Sequence, residues 1–257
     1  MELIDTHCHL ANPKLAGCID DVLRRADEAG VVGCICASAD LEESRQAQVL
    51  ASTHDNVWFI AGVHPHNAQD VTPDYLEELE RLVSDGRNVA IGEIGLDYHY
   101  NFSPPHRQQE VFAQQLQLAC RLGKRVVVHT REAFEDTLAI IAQSGIAGED
   151  VLFHSFTHGQ TQGQQALRIG AMVSFSGIAT FKNAQDVRQF AADAPDDRIM
   201  VETDAPYLSP EPVRRMKTNE PANVVHTASA VAMTRGTSPD TFAALTTANA
   251  RRFFGLK

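Results

Sequence analysis

No stretch of this 257-residue chain is apolar for long enough to span a bilayer, and its first residues, MELIDTH, hold no basic leader followed by an apolar run. A hydrocarbon core asks for about 20 consecutive apolar residues. A soluble protein with no membrane partner is therefore expected, and the cytoplasm is the expected compartment. Cysteine is scarce: Cys8, Cys18, Cys34, Cys36 and Cys120 make an odd five with no CxxC pair. That speaks against a disulfide framework and a four-thiolate zinc site, and for a reducing compartment. Positive charge is in deficit, 22 Lys and Arg against 33 Asp and Glu, for a formal net charge of −11. A field of that sign repels polyanions at long range. It argues against coating DNA by phosphate neutralisation, but not against an enzyme whose pocket is made locally positive by metal ions. Aromatic residues are only 7%, so no aromatic-rich basic groove for a long single strand is visible. Low-complexity segments, long-period repeats and a GxGxxG after the first apolar run are also missing.

What is present is a regular alternation. Short apolar runs fall at 3–9, 31–38, 57–64, 89–97, 125–131, 151–156, 171–177 and 198–204, and segments with helical spacing lie between them. Two of those segments stop at Gly30 and Gly123, which suits a helix C-cap. Runs of this length alternating with helices indicate parallel strands buried on both faces. The pattern predicts an α/β fold, a (β/α)8 TIM barrel in a single domain over 1–257, with two additional C-terminal helices near 221–235 and 239–252. A doubly wound open sheet is the competing reading; the count of eight runs and the missing GxGxxG favour the barrel.

The runs end in metal-type side chains. The first ends in His7 and His9, the fourth carries Glu93, the fifth ends in His129, the sixth reaches His154 and the eighth reaches Glu202 and Asp204. Strand C-termini meet at the mouth of a (β/α)8 barrel, so His7, His9, Glu93, His129, His154 and Asp204 are expected to converge. His7 and His9 are two apart and face the same way on a strand. Imidazoles mixed with carboxylates suit Zn²⁺, Mn²⁺ or Mg²⁺, and six donors exceed one tetrahedral ion but suit a pair about 3.5–4 Å apart. A hydrogen-bonded polar plug without metal is the alternative reading of the same residues. Two divalent ions would outweigh Glu93 and Asp204 and draw an anionic substrate into an otherwise negative protein.

The ordered set IDTHCHL (4–10), AGVHPH (61–66), IGEIGLDYH (91–99), VVVHTREAFED (126–136), FHSF (153–156), VETDAPYL (201–208), NEPANV (219–224) and NARRFFGL (249–256) resembles the TatD family of metal-dependent deoxyribonucleases, within the amidohydrolase-like barrels. The resemblance implies two divalent ions. His7 and His9, with Asp204, would hold the first; His129 and His154 would hold the second; Glu93 would bridge them. It implies cleavage of phosphodiester bonds from the 3′ end of single-stranded DNA or RNA, with Asp204 as general base and the nucleic acid at the barrel mouth. Arg131 and His64 are expected substrate contacts, although Arg131 could equally pair with Glu132 or Glu135, and His64 could cap the turn at Pro65. Phe102, Phe156, Phe181 and Tyr207 are candidates to stack a terminal base or simply to pack. No obligate protein partner is evident, and a monomer is expected. The chain departs from the family pattern at Ala11, at Arg125 and in RRMKT (214–218), none of which removes a ligand. A hydrolase of another ester or amide, such as an aminoacyl-tRNA, is the second reading, and a non-catalytic binding module the third.

Overall fold

The computed structural model describes residues 1–256; Lys257, the last residue of the expected domain, lies outside the described residues. Eight strands form as the apolar runs predict: β1 (Leu3–Cys8), β2 (Val31–Cys36), β3 (Val57–Ala61), β4 (Asn88–Asp97), β5 (Val126–Arg131), β6 (Val151–Phe153), β7 (Met172–Phe175) and β8 (Ile199–Val201). They make one sheet in the order β1 to β8. The ladders β1/β2, β3/β4, β4/β5, β5/β6 and β7/β8 are parallel, and a parallel bridge from Cys8 to Ala205, just past β8, brings the first strand beside the last. With helices between strands, this is the (β/α)8 barrel class.

The chain divides into two compact units: residues 1–36, 154–168 and 172 onward in the first, and 37–153 and 169–171 in the second. In the first, every residue of β1 is buried and the strand is backed by the helix Pro239–Phe254, which packs on β1 and β8. That helix starts where its sequence says it should. Ser238 caps it by accepting from Thr241 N–H at 3.1 Å, Pro239 takes the first position, and Gly255 closes it in the left-handed region. The expected helix at 221–235 resolves into a 3-10 turn, Pro221–Asn223, followed by Val224–Thr234. In the second unit, the fully buried Val126–Val128 of β5 lie between Ile91 and Ile94 of β4 and Val151–Phe153 of β6. All five cysteines are free; Cys8, Cys34 and Cys36 are buried and Cys18 and Cys120 are exposed. Among the described residues, no helix is long and apolar enough to cross a membrane.

Three strands stop three residues short of the ends of their apolar runs. β3 ends at Ala61 because His64 and Pro65 open a 3-10 helix, Pro65–Asp70, with proline at its start. β6 ends at Phe153 and β8 at Val201, and each is followed by a residue in the left-handed region, Ser155 at φ 41° and Asp204 at φ 56°. An extended ladder cannot continue through that conformation. The consequence is functional: His64, His154, Glu202 and Asp204 sit on turns just past strand ends, where side chains leave the strand's strict up-and-down alternation.

Candidate metal centre

The first unit gathers His7, His9, His154, Glu202 and Asp204. His7 is fully buried on β1, and His9 follows the strand. Their rings lie 5.1 Å apart and edge-on, and the His154 ring stacks on His7 at 4.0 Å. Backbone hydrogen bonds fix the turn after β8 against β1. Asp204 N–H donates to His7 O at 2.9 Å, and His9 N–H donates to Ala205 O at 2.6 Å. Buried Asp5 adds to this by accepting from the N–H and hydroxyl of Thr203. Burial pushes the Asp5 carboxyl up to about 7, against those hydrogen bonds. The result places Asp204 Oδ1 3.8 Å from His7 Nε2 and 3.6 Å from His9 Nε2. Burial alone would raise the Asp204 carboxyl; the His9 hydrogen bond and the neighbouring imidazoles outweigh it and hold the group below its ordinary value.

Two overlapping donor sets result: His7, His9 and Asp204, and His7, His154 and Glu202, each with one donor atom per residue inside 4.8 Å of the others. His154 Nδ1 lies 3.2 Å from Glu202 Oε1. An ionised carboxylate only accepts, so Nδ1 carries the proton and Nε2 keeps its lone pair for a cation. Glu202 Oε2 is buried with no hydrogen-bond partner among the described residues. A buried carboxylate oxygen without a donor is costly, and a cation would satisfy it.

The second unit gathers His64, Glu93 and His129, again within 4.8 Å. Glu93 is buried on β4, and its Oε1 lies 2.9 Å from His129 Nδ1 and 3.3 Å from His64 Nε2. Asp97, four residues further along β4, accepts at Oδ2 from His129 Nε2 at 3.1 Å and from His66 Nε2 at 3.0 Å. Burial would raise the Asp97 carboxyl, but those two imidazoles and the Tyr100 N–H hold it far below the usual carboxylate range. Gly95 permits the approach of β4 to β5. Its φ is 141°, and a Cβ there would stand 1.9 Å from His129 O.

Tautomers follow from these partners. His129 stands between two carboxylates, Asp97 at Nε2 and Glu93 at Nδ1, and a neutral ring donates to only one of them; with Nε2–H on Asp97, Nδ1 faces the Glu93 oxygen with a lone pair. Two acceptors 2.9 Å apart need a proton or a cation between them. His64 differs. Its Nδ1 accepts from His66 N–H at 3.1 Å, which leaves Nε2–H aimed at Glu93. Burial pushes His64 down to about 4 against the pull of Glu93, so it is neutral at pH 7. His64 is therefore an N–H donor in this arrangement. The donor chemistry of both units, neutral imidazole plus carboxylate, fits a divalent transition ion or Mg²⁺.

All six expected ligands thus fall into donor sets, with His7, His9, His154 and Asp204 in one unit and Glu93 and His129 in the other. His64 joins the second. Arg131 is exposed on β5; its guanidinium stacks over the Tyr100 ring at 4.7 Å, and Glu132 is engaged by His99 at 2.7 Å. Phe156 is buried in the core. Sequence reasoning missed Asp97 and gave His66 no part in the site. The signal for Asp97 was available: it stands four residues past Glu93 on the same strand. Asp97→Asn is expected to weaken divalent-metal binding about 10–100-fold with the fold intact, read by competition with a chromophoric chelator. Wild-type affinity in that variant would show that Asp97 does not orient His129.

The chain is similar to known proteins over its whole length. A family model described as TatD related DNase matches residues 4–255. The Escherichia coli K12 protein YcfH, named an uncharacterized metal-dependent hydrolase, is 40% identical over 99% of this chain and 96% of its own length. An Erwinia amylovora protein named 3′-5′ ssDNA/RNA exonuclease TatD is 36% identical over 99% of this chain and all of its own. The crystal structure of YjjV, a TatD homolog from Escherichia coli K12, superposes with a TM-score of 0.93 at 25% identity, covering 99% of this chain and 98% of that one.

Proposed function

The chain belongs to the TatD-related DNase family and is a metal-dependent hydrolase, and on that footing we propose that it trims single-stranded nucleic acid from the 3′ end. Support comes from full-length relatives named for that activity, at 34–36% identity. The observation that carries the hydrolytic half of the reading is the close approach of His129 Nδ1 to the buried Glu93 Oε1, 2.9 Å apart. We assign His7, His9, His154 and Asp204 to ion binding in the first unit and Glu93 and His129 to ion binding in the second, the residues that the family resemblance implies as ligands. Divalent ions bound there supply Lewis acidity, which makes water acidic at neutral pH and offsets the charge of a phosphodiester.

The chain's own groups do the rest. Asp204, held ionised, takes the proton of the attacking water at Oδ1. A carboxylate below its ordinary range is a weak base, so it depends on that acidity. His64, neutral and locked as an Nε2–H donor, donates to Glu93 and holds that carboxylate in place without adding charge. Glu202 and Asp97 hold the tautomers of His154 and His129, so their lone pairs need no reorganisation.

Incubating the purified protein with Mg²⁺ or Mn²⁺ and 5′-labelled single-stranded DNA should give products that shorten stepwise, and EDTA should stop them. Aminoacyl-tRNA, lactones and small amides are tested in parallel. Turnover of any of these with the DNA left intact would replace the nuclease reading by that of another ester or amide hydrolase.

A further inference from the structure

The three exposed aromatic side chains among the described residues are Tyr100, Phe102 and Tyr207, and the first two stand side by side. Tyr100 is 50% and Phe102 61% exposed, with ring centroids 5.5 Å apart and planes 26° from parallel. Asn101 between them adopts φ 52°, a left-handed turn that asparagine tolerates better than most residues. His66, one of the two imidazoles on Asp97, meets both rings edge-on, at 5.5 Å from Tyr100 and 4.7 Å from Phe102.

Such rings usually fold inward to leave water. This loop cannot, because it is tied at both ends. Tyr100 N–H donates to Asp97 Oδ1 at 2.8 Å. The buried Gln108 side chain donates to Asp97 O at 3.0 Å and Ser103 O at 2.7 Å, and Ser103 Oγ donates to His66 O at 2.8 Å. The rings are presented on a fixed loop anchored to Asp97, which also contacts His129 of the metal-donor set.

We propose that Tyr100 and Phe102 form a stacking platform for a nucleobase of a single-stranded substrate, with Arg131 at its edge for the adjoining phosphate. The proposal rests on the nuclease reading above and supplies it with a base-binding subsite. Flat aromatic rings recognise any base through its π-face. Arg131, 4.7 Å over Tyr100, brings a cation that makes no ion pair among the described residues. An uncharged apolar partner would leave that cation uncompensated; an anionic chain of aromatic units satisfies ring and charge together.

The test uses the metal-loaded protein and a hydrolysis-resistant phosphorothioate oligonucleotide carrying 2-aminopurine near its 3′ end. Wild type should quench the probe on binding. Phe102→Ala should lose the quench and bind about ten-fold more weakly, while Phe102→Tyr keeps both. A matching oligonucleotide with abasic sites at those positions should bind both variants alike. Undiminished quenching by Phe102→Ala, or an equal loss of affinity for the abasic strand, overturns the platform. The two readings fail separately. Ring-dependent quenching with ordinary DNA left uncut keeps the platform and sinks the nuclease; trimming of DNA with no dependence on the ring at 102 does the reverse.

Discussion

Asparagine in place of Asp204 is expected to lower kcat on single-stranded DNA about 1,000-fold, with circular dichroism and melting temperature close to wild type. The substitution is nearly isosteric, and asparagine tolerates the φ of 56° as readily as aspartate does. The backbone hydrogen bond from residue 204 to His7 O is kept, because it does not involve the side chain. What goes is the anionic oxygen 3.8 Å and 3.6 Å from the Nε2 atoms of His7 and His9. With it go a proton acceptor and a unit of negative charge that holds a cation. Turnover near wild type in a folded Asp204→Asn protein would remove Asp204 as the base.

The second large effect is at Glu93. When the His129 Nε2–H is on Asp97, Nδ1 and Glu93 Oε1 face each other as acceptors 2.9 Å apart. In Glu93→Gln an amide N–H₂ standing where Oε1 stands can donate to His129 Nδ1, and it gives up the His64 Nε2–H contact, which falls on the same atom. The pair is then satisfied without an ion, and the negative charge is gone. Turnover should fall to background. The sharper readout is thermal. A ligand that binds only the folded state at about 100 times its Kd stabilises by about 2.7 kcal/mol, so metal should raise the melting temperature of wild type clearly and that of Glu93→Gln far less. An equal metal-dependent rise in both would show that Glu93 is not part of the ion's binding site.

Much of the site is legible in the order of the residues. His129 follows three valines, and His154 follows Val-Leu-Phe. A polar group at the end of a fully buried run requires a partner, and that requirement singles out the donors. The strand count and the paired C-terminal helices are likewise local patterns. Less legible are the supporting carboxylates. Asp97 reads as the end of a strand, and nothing in GEIGLD says that it will accept from His66 and His129, 31 and 32 residues away in opposite directions. Glu202 reads as strand interior until His154, 48 residues earlier, places Nδ1 beside it. Arg131 has two ion-pair partners within reach in sequence, yet it stacks on Tyr100 instead.

By itself the sequence determined the alternation of strand and helix and the identity of the donor side chains, because periodicity and the cost of burying unpaired polar groups act over a few residues. The tertiary structure alone decided which donors share a set, which carboxylate stands against each imidazole nitrogen, and that His64 faces Glu93 as a donor. Those outcomes depend on hydrogen bonds between distant segments, whose distances exist only once the strands are paired in register.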